Sequence, residues 1–259
     1  TTGREIVPLT YDTVSPFSGG LAMVRKDRAY GFLDTSGQIA VPLLYDWASS
    51  FTDGLAIVAK DGRYGYVDRA GRMSIPPSYT WARPFSNGLA LVSREGWWGF
   101  IDRGGQTVVP LAYHWTFSFS EGRAVVGQAN ALGEFVYGYV DEAGAEIVPP
   151  RYHTAAPFDQ QIAAVSRQGQ HGFIGQDGKE VVPLTYEGAG ALGDGVCWVR
   201  QEGREGLLRS PCSAAAIAAR PPVPGWAVQT VYISGAALLA LLGLALLASL
   251  IRRLRRTTS

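Results

Sequence analysis

Apolar residues recur along this chain in blocks of four without polar interruption, at Leu21 to Val24, Leu55 to Val58 and Leu89 to Val92. A strand that buries only one face alternates apolar and polar residues, so an unbroken quartet predicts an inner strand covered on both faces. Each quartet is followed by a charged turn, an aromatic-glycine-aromatic run, a second turn with glycine, and a run that the pattern predicts to end at a proline. The period is marked by a tyrosine three residues beyond that proline: Tyr11, Tyr45, Tyr79, Tyr113, Tyr152 and Tyr186, spaced by 34 residues except for one step of 39. Six copies of one β-rich unit follow from this spacing, and the long step places a longer hairpin loop around Gln128 to Phe135.

The turns carry chemistry that suits them. Asp61-Gly62, between two apolar runs, predicts a tight hairpin. Asp34, Asp68, Asp102 and Asp141 each precede a glycine by three positions and are expected to cap turns; one carboxylate per loop speaks against calcium, which takes several. Gly31, Gly65, Gly99, Gly138, Gly172 and Gly206 share one strand position, which predicts that a neighbouring group needs the room. Pro8, Pro42, Pro76, Pro110, Pro149 and Pro183 cannot donate to a ladder, so they should end strands or lie on an edge.

Composition changes the picture little. With 47% apolar and 17% charged residues, and glycine (32) and proline (15) spread through the repeats, the chain should fold as an all-β protein. The formal charge of +1 hides an asymmetry: Arg252, Arg253, Arg255 and Arg256 form a C-terminal cluster, and the remaining 19 basic and 22 acidic residues net −3. Such a domain lacks the basic footprint of nucleic-acid binding. Cys197 stands where other copies carry Ala22, Ala56, Ala90, Ala124 and Ala164, so it is expected to be a small buried residue rather than half of a disulfide with Cys212.

These residues resemble the WG (or KWG) repeats of bacterial proteins, over residues 3 to about 209. Trp98-Gly99-Phe100-Ile101-Asp102 matches the name-giving motif; Tyr30-Gly31, Tyr64-Gly65 and Tyr137-Gly138 are conservative versions. His171-Gly172 and Glu205-Gly206 depart from it, and the last copy lacks its turn glycine, which predicts a less regular sixth unit. The resemblance implies β-rich repeats that bind proteins, with no enzymatic activity. The expected fold is all-β, with tandem β-hairpin repeats in an open solenoid or a propeller-like toroid; about thirty-four residues is short for a four-stranded blade, which favours the open form. Strand Arg4 to Pro8 could pair with the last unit and close a ring. The opening Thr1-Thr2-Gly3 looks like the tail of a turn, and an upstream part is expected.

Beyond a repeat domain at 1–210 and a Pro/Ala-rich linker at 211–225, residues 226–251 contain no charge. Val231 to Ile251 alone, at about 1.5 Å per residue, spans a hydrocarbon core of roughly 30 Å, so a single C-terminal transmembrane helix is predicted. Trp226 and Tyr232 would anchor it on the repeat side, and the basic tail at 252–259 would stay cytoplasmic. The repeats then face outward from a bacterial inner membrane. The same segment also resembles processed sorting signals, although no sortase motif is present.

Three histidines, no cysteine pair at ligand spacing and no nucleophile or phosphate-loop motif point away from an enzyme, a metal or a cofactor. The sequence therefore reads as a membrane-anchored scaffold for an unidentified protein partner. Alternatives are a cell-wall or glycan-binding module, or an accessory part of a larger enzyme. Asp12, Asp46, Thr80, His114, His153 and Glu187 occupy one repeat position, and Trp47, Trp81 and Trp115 the next. They predict a polar stripe beside an aromatic ladder, with Trp47, Trp81, Trp115, His114 and His153 as candidate partner-binding residues. The competing expectation is that the tryptophans pack on neighbouring units and the polar residues cap turns. His114 and His153 lack a third metal ligand.

Overall fold

The computed structural model describes residues 10–193 and 196–209. The expected opening strand Arg4 to Pro8, Cys212, the linker, the transmembrane helix and the basic tail lie outside the described residues. Among the described residues, no helix is long and apolar enough to cross a membrane. The chain divides into two compact units, Thr1–Arg151 and Tyr152–Ser259.

Four antiparallel sheets occupy the first unit, each a meander of consecutive strands. The first comprises Thr13–Val14, Leu21–Lys26, Ala29–Asp34 and Ile39–Tyr45. The second comprises Trp47–Ala48, Leu55–Lys60, Arg63–Asp68 and Met73–Tyr79. The third comprises Trp81–Ala82, Leu89–Arg94, Trp97–Asp102 and Thr107–Tyr113. The fourth comprises Trp115–Thr116, Arg123–Ala129, Phe135–Asp141 and Glu146–Tyr152, the last running to the boundary between units. The second unit holds a four-stranded sheet from Thr154–Ala155 to Glu180–Tyr186, and a sheet whose described strands are Gly188–Gly193, Val196–Gln201 and Arg204–Arg209. The repeat is thus a four-stranded sheet, not a hairpin. Its thirty-odd residues suffice because the outermost strand is only two residues long.

The quartets are inner strands, and their two faces serve different cores. Ala56 and Val58 pack with Leu21, Phe32, Val41 and Tyr45 of the first sheet. Leu55 and Ile57, alternating with them, pack with Phe85, Ala90, Val92 and Ile101 of the third. The same alternation continues between the third and fourth sheets, where Leu91 and Phe100 meet Ala124, Val126 and Val140. Small residues on one face and large ones on the other let successive sheets interlock at interior density. A phenylalanine from each following repeat seals the joint: Phe51 lies edge-on to Phe32 at 4.7 Å, Phe85 to Tyr66 at 4.8 Å, and Phe119 is tilted against Phe100 at 4.5 Å. In the second unit Cys197 is buried with Ile162, Phe173 and Val182, at the alanine position as expected.

Among the described residues, Pro42, Pro76, Pro110, Pro149 and Pro183 sit on edge strands but do not end them. In the first sheet Phe32 pairs with Val41 and Tyr30 with Tyr45, so Pro42, Leu43 and Leu44 together stand opposite Gly31. This bulge brings backbone against the glycine: a Cβ there would lie 2.6 Å from the Val41 carbonyl oxygen. The same approach recurs at Gly65, Gly99, Gly138 and Gly172, at 2.3 to 2.5 Å from the carbonyl oxygen of Ile75, Val109, Val148 and Val182. Proline and glycine are therefore two halves of one feature. The proline sits in the bulge, where the ladder is interrupted, and the glycine makes room for it.

The turns follow their sequence chemistry. Asp61 and Gly62 both have positive φ (51° and 72°), as a type I′ hairpin requires. Asp34 Oδ1 accepts hydrogen bonds from the Ser36 and Gln38 amides, and Asp68 Oδ1 from those of Ala70 and Arg72. Hydrogen bonds from Ser36 hold the Asp34 carboxyl below its usual range, and the Lys179 amide does the same for Asp177. At the other extreme, burial pushes the Tyr66 and Tyr113 phenols well above theirs, Tyr113 with added help from Glu146, which accepts its hydrogen bond at 2.9 Å. A depressed carboxyl contributes stability above its unfolded pKa of about 4, and that stability is lost as pH falls. A raised phenol contributes below its unfolded pKa of about 10, and that stability is lost as pH rises further. Melting temperature should accordingly plateau between these limits and fall on both sides; Tyr113→Phe should flatten the alkaline arm. An alkaline arm unchanged in that variant would contradict the assignment.

Candidate functional site

The tryptophans form the two-residue outer strands, and a cross-strand row fixes what each touches. Trp47 pairs with Ala59, which pairs with Tyr64; Trp81 with Ser93 and then Trp98; Trp115 with Gly127 and then Tyr137. Small residues in the middle of each row let the outer ring lean over them. The indole of Trp47 meets Tyr64 at 6.1 Å, Trp81 meets Trp98 at 5.1 Å, and Trp115 meets Tyr137 at 6.4 Å. Gly127 makes the point sharply, because a Cβ on it would come within 2.9 Å of the Tyr137 ring.

These indoles are neither core nor free. Trp47 and Trp115 remain 42% and 41% exposed, whereas Trp81 is half-buried against Trp98 with the Arg83 guanidinium 5.2 Å from its ring centre. Among the described residues, no ring contact joins the three tryptophans to one another; each packs within its own sheet. The expected ladder is thus a series of separate aromatic pairs.

The polar stripe caps hairpins. Asp46 Oδ2 accepts from the Asp61 amide at 2.7 Å, His153 Nδ1 from the Gln168 amide at 3.1 Å, and the Glu187 carboxylate from the Glu202 and Gly203 amides. Each holds the tight turn between the second and third strands of its own sheet. Thr80 bonds instead to the Ser93 carbonyl and hydroxyl, and Asp12 pairs with Arg25 at 3.5 Å. Among the described residues, no group of three or more potential metal ligands comes together.

His114 differs from the others. Its ring lies against Trp97 at 4.4 Å and Phe135 at 5.8 Å, joining the third sheet to the fourth. Trp97 is 41% and Phe135 52% exposed, and beside Trp115 stands Phe117, with ring centres 4.0 Å apart. His114, Trp97 and Phe135 make one outward aromatic cluster that joins the third and fourth sheets, and Trp115, Phe117 and Tyr137 a second on the fourth sheet. Trp97, Phe117 and Phe135 escape repeat alignment because the other copies carry no aromatic in their places. Two signals existed: the doublet Trp97-Trp98 puts a large ring on the outward side of an alternating strand, and the insertion before Phe135 lengthens that hairpin.

The chain matches the sequence pattern described as the WG containing repeat six times, at residues 1–28, 30–64, 64–96, 98–130, 137–169 and 172–204. No curated protein sequence matches it. Among solved structures it is similar to Hsv2 of Kluyvelomyces marxianus, at 11% identity over 76% of this chain and 78% of that one, with a TM-score of 0.36. It is also similar to the WD40 domain of Toxoplasma gondii coronin, at 14% identity over 76% of this chain and 56% of that one, with a TM-score of 0.32. Six matches across six consecutive sheets, each sheet with its glycine on the third strand, place the chain in the WG containing repeat family.

Proposed function

We propose that this protein is a non-enzymatic scaffold that binds a protein partner through outward aromatic side chains on its repeat sheets, held at a membrane by its C-terminal segment. The observation that carries this reading is the exposed aromatic surface of the third and fourth sheets, where Trp97, Trp115, Phe117 and Phe135 are each more than a third exposed. Aromatic anchors dominate protein interfaces because they bury much area at little entropic cost. The sheet edges favour side-chain recognition over strand addition. One edge is a two-residue strand, and the other is bulged at proline, which blunts it as a template for a further strand.

The anchor is the uncharged stretch of residues 226–251, and the arginines after it set the repeats on the extracytoplasmic side of a bacterial membrane. A membrane-impermeant crosslinker added to wall-stripped cells tests both halves of the reading. A specific protein should be captured through the repeats, and capture should fail when Trp97 and Phe135 are replaced by Ala. Capture only after lysis would overturn the orientation, and retention of a cell-wall glycan in place of any protein would overturn the partner class.

A further inference from the structure

Repeat register exposes a difference between two arginines that sequence motifs do not distinguish. Arg103 follows the capping Asp102 in the turn after the third strand of its sheet, and it reaches back to the preceding sheet. Its Nη2 donates to the Asp53 carbonyl at 2.8 Å and pairs with Asp53 Oδ1. Asp53 lies in the turn Thr52-Asp53-Gly54, and its carboxyl is held below the usual range by the hydrogen bond that Arg103 gives to Oδ1. The pair clasps one repeat to the next.

Arg69 holds the same position one repeat earlier, after Asp68, and reaches to the equivalent turn of the first sheet, Ser18-Gly19-Gly20. Its guanidinium lies directly on Gly19, where a Cβ would meet the Arg69 Nη2, Cζ and Nε within 3 Å. Gly19 and Asp53 share one backbone conformation, with φ of 60° and 53°. The arginine reaches the same turn as Arg103 does, but with no side chain at residue 19 to meet, its guanidinium settles into the space where that side chain would begin. Among the described residues, no ion pair or hydrogen bond engages Arg69.

The surroundings favour an anion. Arg69 faces a recess of about 610 Å³ lined also by Asp53, Asp68, Arg72 and Arg103, with three guanidinium groups against two carboxylates. Arg103 is committed to Asp53. Arg72 uses Nε on Asp68 Oδ2 at 2.7 Å, so its two terminal nitrogens still have donors to offer. We infer that Arg69 and Arg72 form a binding site for a carboxylate, supplied by an acidic side chain or by a small carboxylic acid. The Arg103–Asp53 pair establishes that a carboxylate fits this arginine position, and a lining with one surplus positive charge suits a singly charged group better than a polyphosphate. The inference stands apart from the scaffold reading, since it concerns the turns at Gly19 and Asp53 and not the aromatic surface.

Side-chain 15N–1H spectra of the arginine Nε groups in the full chain test it, with sodium acetate, sodium phosphate and a tetraglutamate peptide titrated against sodium chloride at matched ionic strength. Acetate should shift Arg69 saturably, with half-saturation on the order of 10 mM, as expected for a pair of charge-assisted bonds at an exposed site. Tighter binding of the peptide per carboxylate would identify a polypeptide source, and equal binding a small acid. Arg69→Gln should abolish the response. Gly19→Asp, which supplies the carboxylate from a backbone conformation that Asp53 already adopts, should abolish it too once the Arg69 side chain swings off the new Cβ. Shifts no different from those in chloride, phosphate binding tighter than acetate, or an acetate response that survives in Gly19→Asp would each overturn the inference.

Discussion

Replacing Gly99 by alanine is expected to destabilise the first unit by about 3 kcal/mol, the upper end of overpacking costs, although only one methyl group is added. That methyl would lie 2.5 Å from the Val109 carbonyl oxygen and 2.7 Å from that of Pro110. Both are backbone atoms, so no side chain can swing aside. Relief requires moving the strand Thr107–Tyr113, which carries the buried Val109 and Tyr113 into the core shared with the fourth sheet. Gly96, in the hairpin just before, is the control. It has φ of 85° but nothing within 4 Å of an added Cβ, so Gly96→Ala should lose only the left-handed penalty of roughly 1 kcal/mol. For a domain of this size each kcal/mol moves the melting temperature by about 2–4 °C, so the two variants separate clearly in a thermal scan. A Gly99→Ala protein that melts with the Gly96→Ala protein would show that the bulge yields, and the account of the glycine-proline pairing would fall.

What the sequence disclosed, and what it hid, follows from how far each feature extends along the chain. The quartets were legible as inner strands because four adjacent apolar residues report directly that both faces are covered. Their division into Ala56 and Val58 toward one sheet and Leu55 and Ile57 toward the other is the period-2 geometry of any strand. The outer strands were hidden because two residues, such as Trp47-Ala48, are too few to show a period. Without them the unit read as a hairpin. The continuation past proline was hidden as well: a run such as Val41-Pro42-Leu43-Leu44-Tyr45 stays in the sheet only by bulging, and a bulge is a property of the partner strand's register. At the candidate site, the spacing brought out residue types but not contacts. Asp46, His153 and Glu187 share a position because each holds a hairpin amide, whereas His114 shares it and stacks on Trp97 instead. The cluster around His114 joins one repeat to the insertion in the next, so no repeating signal marks it.

Trp81 and Trp115 are equivalent in the repeat but should respond oppositely to removal. Trp81 is half-buried, tilted onto Trp98, covered by Arg83 and packed against the core between the third and fourth sheets. Truncating a fully buried tryptophan costs about 3–5 kcal/mol, so Trp81→Ala should cost about 2 kcal/mol in stability and leave partner capture unchanged. Trp115 leans on Phe117 and Tyr137 with 41% of its surface open, which leaves less contact to lose inside the molecule and more to lose with a partner. Trp115→Ala should cost about 1 kcal/mol in stability, yet weaken capture by roughly 30-fold if the ring is an interface hot spot worth about 2 kcal/mol. Comparing chemical denaturation with capture for both variants separates the roles. Equal stability losses with capture intact in both would make the aromatic pairs structural throughout and move the binding surface away from these sheets. A loss of capture confined to Trp81→Ala would reverse the assignment, since a ring already covered by Arg83 would then be the one the partner uncovers.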